Sequence, residues 1–229
     1  MATITVASIL TKVSTILQDP TNIRWPTDEL ILWLNDGQRE TALYKPNAFV
    51  VNAAVICVTG TKQTLPSTAV SLIDVVRNMG TNGTTPGNAI RAVSREILDS
   101  QVPGWHASTP SAVTKHFVYT PLDSKTFYVY PPQPSTSQGY VELVYVAAPT
   151  DATSGSTITI DDIYVTALIS YILFRAYSKD AEYANNSALA ATYYQQFQGL
   201  LQGKVTAEAA SNPNQALAPF NPNLPGSMK

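Results

Sequence analysis

Apolar positions recur at two different periods along this chain, and the change of period divides it. From Ile4 to Leu17, Val6, Ile9, Leu10, Val13, Ile16 and Leu17 keep the three-and-four spacing of one helix stripe, with Ser, Thr, Lys and Gln mostly opposite. Asp19-Pro20-Thr21-Asn22 is turn chemistry that stops this helix. A second helix is predicted from Asp28 to between Tyr44 and Pro46. Pro26 fixes φ before it, Thr27 offers a capping oxygen, and Asp28 and Glu29 place negative charge at its N-terminus. Leu30, Leu34, Thr41 and Tyr44 share its apolar face, and Ile31 and Trp33 widen that face enough for more than one neighbour.

Between Phe49 and Pro149 β-branched and aromatic residues alternate with short Gly, Pro, Asn and Thr clusters, and helical spacing nearly vanishes. Strands are expected at Phe49–Val58, Gln63–Leu65, Leu72–Met79, Ala89–Ser94, His116–Thr120, Thr126–Tyr130 and Tyr140–Val146. Gly60-Thr61-Lys62 and Asp123-Ser124-Lys125 read as hairpin turns, and Arg95 to Gln101 as a short helix ended by Val102-Pro103-Gly104-Trp105.

Helical spacing returns from Ile160 to Tyr177, where Asp161 and Asp162 offer an acid-rich start and the apolar residues run nearly all round, so this helix should be deeply buried. A fourth helix follows an Asn185-Asn186-Ser187 cap, with Leu189, Ala190, Tyr193, Tyr194, Phe197, Leu200 and Leu201 in register until Gly203. The fold class is α+β. Residues 1–46 and 157–203 should form a bundle of four principal helices, residues 47–156 a β-rich insertion between its second and third helices, and residues 204–229 an extended Pro- and Asn-rich tail.

Composition sharpens this picture. The chain has 229 residues, 45% of them apolar, enough for a sizeable core. Only 13% are charged, against roughly 25% in an average soluble protein, so hydroxyls, amides and other protein must cover much of the surface. Fourteen Lys and Arg against sixteen Asp and Glu give −2, with no basic stripe for tight nucleic-acid binding. The single Cys57 cannot form an intrachain disulfide, which points to a cytosolic origin, and neither a signal peptide nor a membrane span is expected.

Candidate chemistry is thin. His106 and His116 lack partners at ligand spacing, so no metal site is expected. Asp161 and Asp162 have a capping explanation, and Gly80, Gly83 and Gly87 lie between strands, as in a hairpin loop and unlike a phosphate-binding turn. Glu96, Asp99 and Trp105 could line a pocket or form a short acidic helix packed by one Trp. Tyr128, Tyr130, Tyr140 and Tyr145 could form an aromatic platform, or fill sheet faces and subunit contacts. No serine sits in a nucleophile elbow, so neither catalytic residues nor a cofactor are expected.

Several phrases in order resemble the head-to-tail adaptor family of tailed bacteriophages: Trp25-Pro-Thr-Asp-Glu-Leu with Trp33-Leu-Asn-Asp-Gly-Gln-Arg-Glu40, Asp74-Val-Val-Arg-Asn-Met-Gly80, Arg95-Glu-Ile-Leu-Asp99 with Pro103-Gly-Trp105, Thr126-Phe-Tyr-Val-Tyr-Pro-Pro132, and Arg175-Ala-Tyr-Ser-Lys-Asp-Ala-Glu-Tyr183. The resemblance implies a structural virion protein made in the host cytoplasm and placed at the neck. It would form a ring of twelve copies beneath the portal protein, receive a tail tube or nozzle protein, and let genomic DNA pass without reading its sequence. On that reading Pro213, Phe220, Pro222 and Leu224 of the tail would reach the portal. Asn35, Asp36, Gln38 and Arg39, the polar exit of the second helix, would serve a subunit contact or the channel rim. Competing readings are another neck or tail-completion protein, and a carbohydrate-binding or hydrolytic virion protein using the tyrosine-rich strands.

Overall fold

The computed structural model describes residues 2–183 and 186–210. It is α+β, and the chain divides into two compact units: one holds the residues up to Lys45 and those from Thr150 onward, the other Pro46–Pro149.

The helical unit is built from α1 (Val6–Ile16), α2 (Thr27–Tyr44), α4 (Val165–Lys179) and α5 (Asn186–Ala210). Helix α4 packs against each of the other three. Its Leu168, Ile172 and Ala176 are fully buried, as are Val6, Ile9 and Val13 of α1 and Leu30 and Leu34 of α2. Gly37 sits in the middle of α2 because α4 comes close there: a Cβ would lie 3.0 Å from the Tyr171 ring and 3.3 Å from Leu168. Between α4 and α5 the seam is aromatic. The rings of Tyr171 and Phe197 lie 5.1 Å apart, those of Phe174 and Tyr194 4.8 Å, and Tyr177 stacks on Tyr193 at 5.6 Å.

Three boundaries differ from the sequence reading, each for a local reason. Helix α2 begins at Thr27, with Pro26 at the cap, because the Thr27 hydroxyl accepts from Asn22 Nδ2 at 3.2 Å and so makes no capping bond. Helix α4 begins at Val165 after a 3₁₀ turn over Asp162–Tyr164, since Asp161 is extended and the Asp162 carboxylate is taken by the N-terminal segment. Helix α5 runs through Gly203 to Ala210, carried by Ala-rich sequence and an i,i+4 pair between Lys204 and Glu208 at 3.4 Å. No helix among the described residues is long and apolar enough to cross a membrane.

The second unit contains α3 (Arg95–Gln101) and two sheets. One has the order β1 (Val50–Ile56), β7 (Tyr140–Ala147), β3 (Ala69–Asn78), all antiparallel. The other has the order β2 (Gly60–Thr64), β6 (Thr126–Gln133), β5 (His116–Tyr119), β4 (Arg91–Ala92), with β4 parallel to β5. Gly60-Thr61-Lys62 thus opens a strand instead of making a turn, and Gly60 takes a positive φ of 89° at its start. Strand β6 continues past Tyr130 despite Pro131 and Pro132. Its ladder with β5 ends at the His116–Tyr130 pair, and β2 is bulged between Gly60 and Lys62, so the missing N–H groups are not called upon.

Alternation along β6 separates two cores. Phe127 and Val129 join Phe117, Leu72, Val75, Leu143 and Cys57 in the main core, while Tyr128 and Tyr130 join Leu98, Trp105 and Val118 in a smaller cluster. Burial pushes the Cys57 thiol up to about 12, so it stays protonated and behaves as an apolar side chain.

Candidate functional site

The polar exit of α2 splits into two pairs with different fates. Asn35 and Gln38 are buried and committed within the chain. Asn35 donates from Nδ2 to the Ala152 carbonyl at 3.1 Å, and the Ala152 N–H donates back to Asn35 Oδ1 at 2.9 Å. Gln38 donates to Asn35 Oδ1 at 3.1 Å and accepts from both the N–H and the hydroxyl of Thr159, at 2.8 and 2.7 Å. These amides therefore hold the returning segment of the chain against α2. Asp36 and Arg39 stay at the surface: Arg39 pairs with Asp36 at 3.0 Å and also with Asp151.

The same returning segment is tied to the N-terminus. Thr5 bridges to Thr157, and Val6 N–H donates to the Ser156 carbonyl at 3.0 Å. Asp162 accepts the Thr3 N–H at 2.9 Å, the Thr3 hydroxyl at 2.5 Å and the Ile4 N–H at 3.1 Å. The Thr3 hydroxyl, followed by the Ile4 N–H, holds its carboxyl below the usual carboxylate range. Asp162 is thus an anchor and not half of an acid–base pair.

At the other end, the buried Lys45 ammonium pairs with Glu208 of α5 and lies 5.6 Å from the Tyr164 ring. Burial alone would lower the Lys45 pKa, but Glu208 and Tyr164 outweigh it and the net shift is upward. This pair fastens the last turns of α5, so residues 204–210, expected to be extended, are helical. Pro213, Phe220, Pro222 and Leu224 lie outside the described residues.

In the β unit Trp105 is the buried centre of its cluster. Its Nε1 donates to Asp99 Oδ1 at 2.8 Å, and Arg95 reaches the same carboxylate at 3.3 Å. That indole bond is the main cause that holds Asp99 below its ordinary range. His106 stacks on Trp105 at 3.6 Å between centroids, and its Nδ1 lies 2.8 Å from the Thr61 hydroxyl. Arg95, Trp105, His106, Val118 and Tyr128 leave a cavity of about 70 Å³, too small for a sugar ring. Glu96 is exposed and takes no part. The four tyrosines do not share one platform: Tyr128 packs on Trp105, Tyr130 stacks on His116, Tyr145 is buried in the main core, and Tyr140 lies under Gly83. Among the described residues no group of three or more His, Cys, Asp or Glu is placed to hold a metal ion.

What the surface does offer is uncovered apolar area. Leu32 and Leu43 lie on the one exposed stripe of α2 with Asp28, Asp36 and Arg39, and are 63% and 78% exposed. A groove of about 350 Å³ runs along Ile163, Ala167, Gly199, Leu200 and Gly203, and a Cβ at either glycine would meet nothing within 4 Å. Leucines at two such positions suit a protein that works by binding other protein.

The surfaces thus describe a structural assembly protein. Compared with known families, the chain matches the SU10 adaptor protein family over residues 4–217. It belongs to that family and is a phage adaptor protein, a structural component of the virion. Among curated proteins no match is found.

Proposed function

We propose that this chain is the head-to-tail adaptor of its particle: copies close into a ring of twelve beneath the portal, join it to a tail tube or nozzle, and leave an open channel for DNA at the virion neck. One observation carries the lateral contact, the pair of exposed leucines Leu32 and Leu43 on the single solvent-facing stripe of α2. Each in isolation would be ordinary; two on one stripe, flanking the Asp36–Arg39 pair, form a self-contained contact patch. A sparse charge complement supports the channel role, because a strongly basic lining would hold DNA instead of letting it slide.

In this reading Asp36 and Arg39 border the subunit contact, and Pro213, Phe220, Pro222 and Leu224 engage the portal. The test uses the full chain and a chain ending at Ala210, which keeps the Lys45–Glu208 pair. Removing residues 211–229 should abolish capture by purified portal rings while the thermal midpoint is unchanged. Retained capture rules out the assigned role for the tail. Native mass spectrometry of the wild-type protein bound to portal rings should give twelve copies, and Leu43→Glu should lower the occupancy.

A further inference from the structure

Helix α5 continues past the point where its packing stops. Leu201 is 1% exposed, and beyond it no side chain among the described residues up to Ala210 is buried. Burial of an apolar face, the usual source of helix stability in a protein, is therefore missing from this stretch. Among the described residues two ion pairs act on it. Lys204 with Glu208 is an i,i+4 pair inside the helix, whereas Glu208 with Lys45 ties the stretch to the C-cap of α2.

Two glycines, Gly199 and Gly203, stand one turn apart where the packed part of α5 gives way to this unpacked part. Gly37 in α2 has a packing reason, the Tyr171 ring 3.0 Å from where its Cβ would be; Gly199 and Gly203 have none, since a Cβ at either would meet nothing within 4 Å. Alanine would fit both and is the best helix former, while glycine is worse than any residue but proline. Helices bend most readily at such positions.

The ion pair beyond the glycines is lopsided. The Lys45 side chain is 5% exposed and that of Glu208 46%. A buried ammonium strongly favours a counter-charge, so Glu208 is held. When Glu208 leaves, Lys45 keeps two other favourable surroundings: the Tyr164 ring 5.6 Å away, and the carbonyl end of α2, where the helix dipole favours a cation. Opening is thus a step between two defined states.

We infer that Lys204–Ala210 is a latched extension of the tail, hinged at Gly199 and Gly203: Glu208 on Lys45 holds it helical in the free subunit, and engagement of residues 211–229 by the portal releases it. The inference rests on the tail reading proposed above. Its seven residues span about 10 Å as helix and up to about 23 Å when extended, so release adds roughly 13 Å to the reach of the tail.

Two variants of the full chain, read by amide hydrogen exchange and by the Kd for purified portal rings, test this. Lys45→Met removes the ammonium and keeps an apolar stem. Gly199→Ala with Gly203→Ala stiffens the hinge with side chains the structure has room for. Lys45→Met should speed exchange at residues 204–210 at least about tenfold and tighten portal binding at least about threefold, because the portal no longer has to drive the opening. The double alanine variant should slow the same amides and weaken portal binding at least about threefold. Wild-type protection up to Leu201 in both variants checks the fold. Unchanged exchange at residues 204–210 in Lys45→Met overturns the inference, as do portal affinities that fall, or stay at the wild-type value, in both variants. Incomplete rings from the double alanine variant with unaltered exchange also overturn it, in favour of glycines that make room for another protein. Wild type that fails to bind portal rings overturns the tail reading and the trigger with it; a latch still seen by exchange in the free chain shows which of the two failed.

Discussion

Both units pin irregular chain with a buried asparagine that exchanges hydrogen bonds with one backbone residue, but they do so across very different spans. In the β unit, Asn78 donates to the Asn88 and Thr114 carbonyls at 2.9 and 2.8 Å and accepts the Thr114 N–H at 2.8 Å. Gln133 extends this network, donating to Thr114 and accepting the Gly139 N–H at 2.9 Å. These partners lie 36 residues apart or fewer. In the helical unit, Asn35 and Gln38 reach Ala152 and Thr159 across 117 and 121 residues. The β unit is closed by contiguous sequence, whereas the helical unit is closed by two segments that only the fold brings together. Loop closure over the longer span costs only modestly more entropy, so the contrast bears on order of events more than on final stability.

The strongest break in this comparison is Gly139→Ala. A Cβ there would lie 2.0 Å from the Ala112 carbonyl oxygen, so backbone has to move. A loss above about 4 kcal/mol is expected, confined to the β unit and read as a drop in amide protection between residues 46 and 149 with the helices spared. Protection lost equally in both units would erase the distinction. Next come the amides themselves. Asn78→Ala and Gln38→Ala each leave partners unsatisfied, and should cost about 1–3 kcal/mol per stranded buried group, more for Asn78 because its partners are more deeply buried. Chemical denaturation should show the first in the β unit and the second in the helical unit; a loss under about 0.5 kcal/mol for Gln38→Ala would mean the returning segment is held by other contacts.

The smallest effect concerns pH. Asp162 has a folded pKa below its unfolded value, so its contribution is present above the ordinary carboxylate range and disappears as pH falls through the folded value. Wild type should therefore exceed Asp162→Asn in thermal midpoint at neutral pH, and the gap should close below about pH 4. A gap that persists in acid would assign the anchor to the Thr3 and Ile4 bonds without regard to charge.

Much of this architecture was legible because burial imposes a period. The change from helical spacing to alternation marked the β region, and Arg95–Gln101 matches its expected helix because its breakers adjoin it. The seven strands lie within three residues of their expected bounds, the largest shortfalls being the starts of β2 and β3 and the end of β6, which continues through Pro131 and Pro132. A missing N–H matters only if a neighbour asks for it, and that depends on register, which no single strand states. The burial of Asn35 and Gln38 was hidden for a related reason. A polar residue on a helix looks solvated when its face is judged from composition, yet both lie on the buried side between Leu34 and Thr41, and that placement was the available signal. Helix α5 passes Gly203 because a helical glycine costs only about 1 kcal/mol, which the Lys204–Glu208 and Lys45–Glu208 pairs help offset. Isolated exposed leucines such as Leu32 and Leu43 do not announce themselves in a hydrophobic pattern, so the surfaces that bear on assembly were the least visible.

The dependence of α2 on Ala152 and Thr159 also sets a timetable for synthesis. A ribosome adding about 5–20 residues per second delivers the intervening stretch, Pro46 to Pro149, over roughly 5–20 seconds. Throughout that interval α1 and α2 are complete in sequence but without the segment that covers Asn35 and Gln38. The β unit, whose partners all lie within the emerging stretch, can close first. Newborn chains therefore carry a finished β unit beside an unfinished helical one, and a nascent-chain chaperone would meet the apolar side of α2 before any ring partner does.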